Sequence, residues 1–421
     1  MSSALSASSP LADWLAYQER THPKAIDLGL ERSRQVAQRL GLLPARATTL
    51  IVAGTNGKGS SVTLAAAIYQ AAGYRTGRYL SPHLLRYNER VAIDGVEAGD
   101  EALCRAFAAI EAAREGITLT YFEFGTLAAL WLFREAAVEV QVLEVGLGGR
   151  LDSVNIVDAD CALITNIGLD HTDWLGSDRD SIGYEKAGIM RPGRPAVSAE
   201  DEPPRRLLEH AERIGAPLRR LGRDYRYVRH ADGRWDWRGG AVRRSGLPAP
   251  ALDGEVQYRN AAGVLAAIEA LQALRPVPET AIREALPALR LAGRFQQLGN
   301  TILDVAHNVE SAAVLADNLR RQGTGGNTWL VLGMFADKPV EGVCALLAPL
   351  VQGAYFGTLP PPRGLSAAGL RRRAARGGLA GEAAGTVAEA YRLALARAAS
   401  GDRIVVCGSF LTVAAVAELL R

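Results

Sequence analysis

Residues 54–60 read Gly54, Thr55, Asn56, Gly57, Lys58, Gly59 and Ser60, and these types at this spacing suit the holding of a phosphate chain. They follow an apolar run, Thr48 to Ala53, and precede a helical pattern from Ser61 to Ala72. Glycines let a turn aim its backbone N–H groups at phosphate oxygens. The N-terminus of the next helix adds a favourable dipole, and Lys58 supplies a cation. Ser60 or Ser61 offers a hydroxyl beside a phosphate-bound metal. The pattern departs from the strict phosphate loop: its first glycine would fall at Val52, in the strand, and Gly59 rather than Ser or Thr follows Lys58. A glycine-rich turn that only caps a helix is the competing reading. Strand, lysine and helix in the right order favour the nucleotide.

The elements that must position this loop alternate along the chain. Val138–Val145 and Cys161–Ile167 read as further buried strands, with a helix from Tyr121 to Glu135 between the phosphate loop and the first of them. Such alternation predicts a mostly parallel sheet with helices on both faces. Between Asp224 and Gly254 the pattern becomes short antiparallel strands, with turns at Asp232-Gly233 and Gly239-Gly240. A helix from Gln257 to Leu274 and a linker from Pro287 to Gly293 follow. The βα rhythm then restarts: strand Thr301–Val305, helix Ser311–Gln322, strand Thr328–Met334, helix Gly342–Leu350, strand Arg403–Cys407 and helix Leu411–Arg421. The expected fold is α/β, an N-terminal mostly parallel sheet domain of the phosphate-loop type with a small antiparallel subregion. A smaller C-terminal α/β domain completes it.

A chain of 421 residues exceeds what one hydrophobic core usually serves, so two domains are expected, 1–292 and 296–421. The net charge of +3 is small, and the Arg371-Arg372-Arg373 run has no aromatic interleaving, so it reads as a solvated helix face and no nucleic-acid partner is expected. Cys104, Cys161, Cys344 and Cys407 lie far apart without a CxxC pair, which points to a reducing compartment rather than a disulfide or zinc framework. Met1 to Pro10 lacks the basic and apolar regions of a signal peptide, and no apolar stretch is long enough for a membrane span. A cytoplasmic protein without a membrane partner is the expectation.

GTNGKGS resembles the ATP loop of the Mur ligase superfamily, and of its folylpolyglutamate synthase branch in particular. Further segments match that family in order: YLSPHLLRYNERV (79–91), LTYFEFGTLAAL (119–130), LEVGLGGRLDSVN (143–155), ITNIGLDHTDWLG (164–176), EKAGI (185–189), QYRNAAG (257–263), GRFQ (293–296), LDVAHN (303–308), ADKP (336–339) and CGSFLTV (407–413). The LTYFEF segment is most similar to the bifunctional dihydrofolate synthase/folylpolyglutamate synthases. The family's C-terminal domain is Rossmann-like, and its members are typically monomers. The resemblance implies ATP, Mg²⁺ (two ions), L-glutamate, and 7,8-dihydropteroate or a reduced folate as acceptor. A carboxylate is a poor electrophile, so ATP first converts it to an acyl phosphate, which the glutamate amine displaces. That chemistry needs positioning and charge neutralisation more than a protein nucleophile.

Roles follow residue by residue from the same resemblance. Glu144, at the end of a buried strand where ligands bind in open α/β sheets, is assigned to metal with Ser81 and His171. Read without the family, Glu144 caps the following Gly-rich loop, His171 is a loop histidine bonded to Asp170 or Asp173, and Ser81 is a turn residue. Lys186 matches a lysine that is carbamylated in the family, an anion for a second Mg²⁺; otherwise it forms an ordinary salt bridge. Carbamylation needs an uncharged amine, hence a lowered pKa. Asn260, Arg294 and Asp304 match nucleotide-binding positions, Arg294 reaching the phosphates and Asp304 the ribose. His307 and Ser409 match positions facing the incoming glutamate, Ser409 being equally a helix N-cap. The acceptor set is Asp27, Leu28, Gly29, Thr120, Tyr121, Phe122, Glu123 and Asp152. Phe122 can stack on a flat heterocycle and Asp27 or Glu123 can pair with ring N–H groups, against a reading of the aromatics as core packing. Catalytic roles fall to Lys58, Glu144, His171, Lys186, Arg294 and His307. A Mur-type ligase acting on a peptidoglycan precursor is the nearest rival, and a nucleotide-dependent switch is the rival from another class. Neither a switch nor a small-molecule kinase accounts for the C-terminal motifs.

Overall fold

The computed structural model describes residues 5–252 and 254–421, so Met1 to Ala4, the start of the Ser/Ala-rich stretch, and Asp253 lie outside the described residues. Two compact units divide the chain: residues 1–82, 87–251 and 257–289 in the first, and 83–86, 252–256 and 290–421 in the second.

In the first unit β1 (Thr48–Ala53), β2 (Thr76–Tyr79), β3 (Val91–Ile93), β4 (Val96–Glu97), β5 (Val140–Glu144), β6 (Cys161–Ile164), β7 (Ala196–Ser198) and β8 (Leu218–Arg220) form one sheet. Their order is β4-β3-β2-β5-β1-β6-β7-β8. Every pair from β2 to β8 is parallel, and β3 and β4 add an antiparallel edge. Strands buried on both faces read as continuous apolar runs, and β1 is buried from Thr49 to Ala53. Ile51 and Ala53 share one core cluster with Trp14, Phe107, Phe124 and Phe133 from helices Leu11–Thr21, Asp100–Arg114 and Tyr121–Glu135. By the alternation of a strand, Leu50 and Val52, also fully buried, face the other side. Helix Lys58–Ala71 lies against β5 and β2 and packs on helix Glu279–Ala288.

Helix Tyr121–Glu135 has the bounds its spacing predicts, because Thr120 and Glu123 close a capping box at its start. The three-stranded antiparallel sheet of β9 (Tyr225–Arg229), β10 (Trp235–Gly239) and β11 (Val242–Leu247) turns where Asp232-Gly233 and Gly239-Gly240 predict. Trp235 and Trp237 anchor it by donating to the carbonyls of Pro248 and Ala262.

The second unit has a six-stranded sheet of β12 (Gln296–Leu298), β13 (Thr301–Leu303), β14 (Thr328–Leu332), β15 (Gly353–Thr358), β16 (Gly381–Thr386) and β17 (Arg403–Cys407), in the order β12-β13-β17-β14-β15-β16. Only the β12–β13 pair is antiparallel. Three details differ from expectation. Pro287 lies inside helix Glu279–Ala288 rather than opening a linker, and the helix ends one residue later, as a proline that lacks its N–H favours. β15 and β16 went unread because neither shows a long apolar run: β15 has only Tyr355 and Phe356 between Ala354 and Gly357, and β16 is built of Gly, Glu, Ala and Thr. Arg373 is not simply solvated: it pairs with Glu341 at 2.7 Å and donates to the carbonyls of Ala336 and Lys338. The four cysteines are unpaired and buried. Among the described residues no helix is long and apolar enough to cross a membrane.

Gly77 in β2 marks a close approach of sheet and helix, since a Cβ there would lie 2.6 Å from the Phe133 ring. Gly77→Ala is expected to cost about 1–3 kcal/mol by overpacking, lowering the melting temperature by several degrees in a thermal scan.

Candidate active site

The carboxyl ends of β2, β5, β1 and β6, neighbours in the sheet, bring together most of the residues singled out from the sequence. The phosphate loop leaves β1 and enters helix Lys58–Ala71 through Gly57, whose φ of 80° needs a glycine. Gly54 is equally constrained, because a Cβ on it would sit 1.8 Å from Thr165 Oγ1. The segment after β6 straps the loop. Asn166 accepts from Thr55 N (2.9 Å) with its carbonyl and from Asn56 N (2.7 Å) with Oδ1. Thr165 Oγ1 donates to Asn56 O (2.6 Å), and Thr55 Oγ1 exchanges hydrogen bonds with Gly168. Lys58 Nζ folds back on the carbonyls of Gly54 (3.0 Å) and Thr55 (3.2 Å). Ser60 and Ser61 are buried in the first turn. Asn260 packs over the loop from helix Glu255–Ala270, its amide 2.8 Å from where a Cβ of Gly57 would be. The motif residues thus converge on the loop, but Asn166, which holds its shape, was missed. Its place directly after a buried strand in the ITNIGLDH segment is the signal that could have found it.

Glu144 ends β5 beside Val52 of β1, is 4% exposed, and its Oε2 accepts from Ser81 N at 3.1 Å. His171 sits in the left-handed region (φ 52°) at the start of the turn Thr172–Leu175, its N–H donating to Asp170 Oδ1. Lys186 is 3% exposed on helix Arg179–Ala187, whose Glu185 accepts from the Arg150 backbone and guanidinium and so seats the Gly148-Gly149-Arg150 turn. Among the described residues no three His, Cys, Asp or Glu side chains cluster to hold a metal. One carboxylate, a serine and an imidazole nevertheless fit an ion such as Mg²⁺, which keeps waters and takes the rest of its shell from phosphates.

Beside this edge opens a cavity of about 270 Å³. Asp27, Leu28, Gly29, Thr120, Tyr121, Phe122, Glu123 and Asp152 all line it, and so do Ser81 and His171. Arg90, Gly146 and Leu147 also line it and were not assigned from the sequence. Phe122 lies so close to Gly146 that a Cβ there would come within 2.6 Å of its ring. Glu123 is fixed by the Thr120 backbone N–H and by Ser33, and it shares Arg32 with Asp27. A hydrogen bond from Lys24, with Arg32 nearby, holds the Asp27 carboxyl below its ordinary value. Asp152 is different: its oxygens accept from the backbone N–H groups of Leu147 (2.8 Å) and Val154 (3.0 Å). Burial pushes its carboxyl up to about 7 against the pull of those donors and of Lys58.

In the second unit Asp304 follows β13, and burial raises its carboxyl against the pull of Arg294. Its oxygens accept from Phe295 N and Ala306 N, both at 2.8 Å, which ties the Arg294 turn to the strand end. The Arg294 guanidinium lies 5.4 Å from the Phe410 ring centroid. His307 Nδ1 donates to Val305 O at 2.8 Å, which fixes the orientation of the ring. Ser409 is buried and caps helix Phe410–Ala417 through Thr412 N.

A parallel sheet with a strapped phosphate loop, a carboxylate at the adjoining strand end and a deep pocket alongside defines a nucleotide-dependent α/β enzyme. Residues 52–239 match the family model of the Mur ligase middle domain, and 293–410 match that of the Mur ligase, glutamate ligase domain. The dihydrofolate synthase/folylpolyglutamate synthase of Escherichia coli K12 is 45% identical, over 98% of this chain and 96% of its own. A solved structure of E. coli FolC in complex with DHPP and ADP superposes with a TM-score of 0.94 at 45% identity and 99% coverage of both chains. The bifunctional folylpolyglutamate synthase/dihydrofolate synthase of Yersinia pestis, complexed with AMPPNP and Mn ion, gives 0.91 at 45% identity and 99% coverage of both. The chain belongs to the dihydrofolate synthase/folylpolyglutamate synthase family of Mur ligases.

The raised Asp152 carboxyl has a stability consequence. The folded state keeps this proton up to about pH 7, whereas the unfolded chain loses it near 3.8, so the group's contribution falls as pH rises between those values. The stability advantage of wild type over Asp152→Asn is therefore expected to shrink by about 2 kcal/mol between about pH 5.5 and 8.5, measured by denaturant melts.

Proposed function

We propose that the chain is an ATP- and Mg²⁺-dependent ligase. It joins L-glutamate to 7,8-dihydropteroate, forming dihydrofolate, and adds γ-linked glutamates to reduced folates. The observation that carries this reading is one pocket shared by the acceptor residues and by Ser81 and His171, next to the strapped phosphate loop. When bound, ATP with its Mg²⁺ supplies the phosphoryl group that turns the acceptor carboxylate into an acyl phosphate open to the glutamate amine. The loop's N–H groups and Lys58 orient the phosphates, and Asn260 packs over the loop beside them. Glu144, Ser81 and His171 hold one metal ion. Lys186, as a carbamate formed from its neutral amine and CO₂ with loss of a proton, holds a second. Arg294 and Asp304 bind the nucleotide from residues 296–421 and their entry turn, the glutamate-ligase domain, while 1–292 forms the ATP- and acceptor-binding domain. His307 and the capped end at Ser409 receive the incoming glutamate. Phe122 stacks on the pterin, and Leu28 and Gly29 wall it. Four buried, unpaired cysteines support a reducing cytoplasm as its location.

Purified protein supplied with ATP, Mg²⁺ and L-glutamate is expected to release ADP with dihydropteroate and with tetrahydrofolate. No ADP release with any pterin acceptor defeats the proposal, and release with only one acceptor restricts it to a single synthase activity. Lys186→Ala should lower kcat on the order of 100-fold without shifting the melting temperature. Added bicarbonate should stimulate only enzyme that retains Lys186.

A further inference from the structure

The acceptor pocket contains a cation that the proposed chemistry does not use. Arg90 is the only lysine or arginine among the lining residues, and it is 7% exposed. It ends the 3₁₀ turn Tyr87–Arg90, and its carbonyl accepts from Leu80 N at 2.8 Å, immediately before Ser81. The guanidinium lies 5.3 Å from the ring centroids of both Tyr87 and Tyr121. Those two rings stand at 85° to each other, 5.6 Å apart, so the guanidinium packs against both members of an edge-to-face pair. It also touches Tyr79: burial lifts that hydroxyl to about 12, and Arg90 pulls it the other way. Tyr121 opens the helix that Thr120 and Glu123 cap, so the capping box fixes one of the two rings that Arg90 packs against.

A fixed guanidinium presents paired N–H donors in one plane. Their complement is a pair of adjacent in-plane acceptors, which is how arginine reads the oxo oxygen and ring nitrogen on the edge of guanine. A 4-oxo pteridine carries the same pair, the oxo oxygen and the neighbouring ring nitrogen. Its other edge, the 2-amino group and ring N–H, presents donors that suit Asp152, whose oxygens keep lone pairs beyond the two backbone bonds. A heterocycle in this cavity thus finds a donor group in Arg90 and an acceptor group in Asp152 among the lining residues.

We infer that Arg90 is a specificity-determining residue that reads the 4-oxo edge of the acceptor heterocycle. The inference rests on the proposed pterin ligase activity and names what selects its acceptor. A 4-amino counterpart of dihydropteroate turns one of the two acceptors into a donor facing Arg90, and is discriminated against. Wild type, Arg90→Gln and Arg90→Lys are compared by ADP release with the 4-oxo and 4-amino acceptors. Arg90→Gln is expected to raise the KM for the 4-oxo acceptor about 10- to 100-fold, leave the KM for ATP unchanged, and bring the oxo-over-amino ratio of kcat/KM toward one. Arg90→Lys keeps the charge against the two rings but not the paired donors, so it retains the melting temperature and loses most of the preference. A wild-type preference that survives in both variants, or a KM for ATP that rises with that for the acceptor, overturns the assignment to Arg90 alone. Absence of turnover by wild type on both acceptors overturns the ligase reading and this inference together.

Discussion

The strap from Thr165 to Gly168 holds the phosphate loop, and the geometry of the whole edge follows from it. Gly54 can pass Thr165 only because it has no side chain, and Asn166 then fixes two successive backbone N–H groups of the loop. The strap itself is fixed because β6 pairs with β1 in parallel, from Leu50↔Cys161 to Ala53↔Ile164, so loop and strap leave the sheet side by side. Any shift in that register would separate Thr165 from the loop it bonds. Phosphate binding is therefore a property of two adjoining strands rather than of one motif.

The same edge explains how one pocket serves two tasks. β5 carries Glu144 out next to β1, and β2 carries Ser81 out next to β5, so a single hydrogen bond from Ser81 N to Glu144 joins the two strand ends. The acceptor pocket lies against that junction, and its walls come from segments whose own structure is secured elsewhere. Thr120 and Glu123 close a capping box, Arg32 gathers Asp27 and Glu123, and backbone N–H groups hold Asp152. Pairing acids with Arg32 keeps two of the three lining carboxylates neutralised. The third, Asp152, has no such cation partner, and burial outweighs its backbone donors and the pull of Lys58, which is why its proton affinity rises.

Much of this was legible in the residues themselves. Continuous apolar runs gave the central strands, because a strand covered by helices on both faces has no polar side to show. Thr120 and Glu123, three apart, set a helix start without any tertiary contact. Asp232-Gly233 and Gly239-Gly240 set the turns of the small antiparallel sheet through glycine's access to positive φ, 83° at Gly233 and 55° at Gly240. β15, whose Tyr355 and Phe356 are too short an apolar run, and β16, rich in Gly and Ala, stayed hidden, and the ladder with their neighbours makes them strands.

The sequence by itself determined most of the elements and the chemistry of each motif, since propensity, capping and turn geometry act over a few residues. It could not decide what each polar group is committed to. The pairing of Glu123 with Arg32, Asp304 as the tie between a turn and a strand end, and Arg90 among the lining residues of the cavity are all outcomes of packing. Arg90 and Tyr121 lie 31 positions apart, and Arg32 and Glu123 lie 91 apart. Only a closed tertiary structure brings such groups within bonding distance, and only burial there makes the bond or the charge matter.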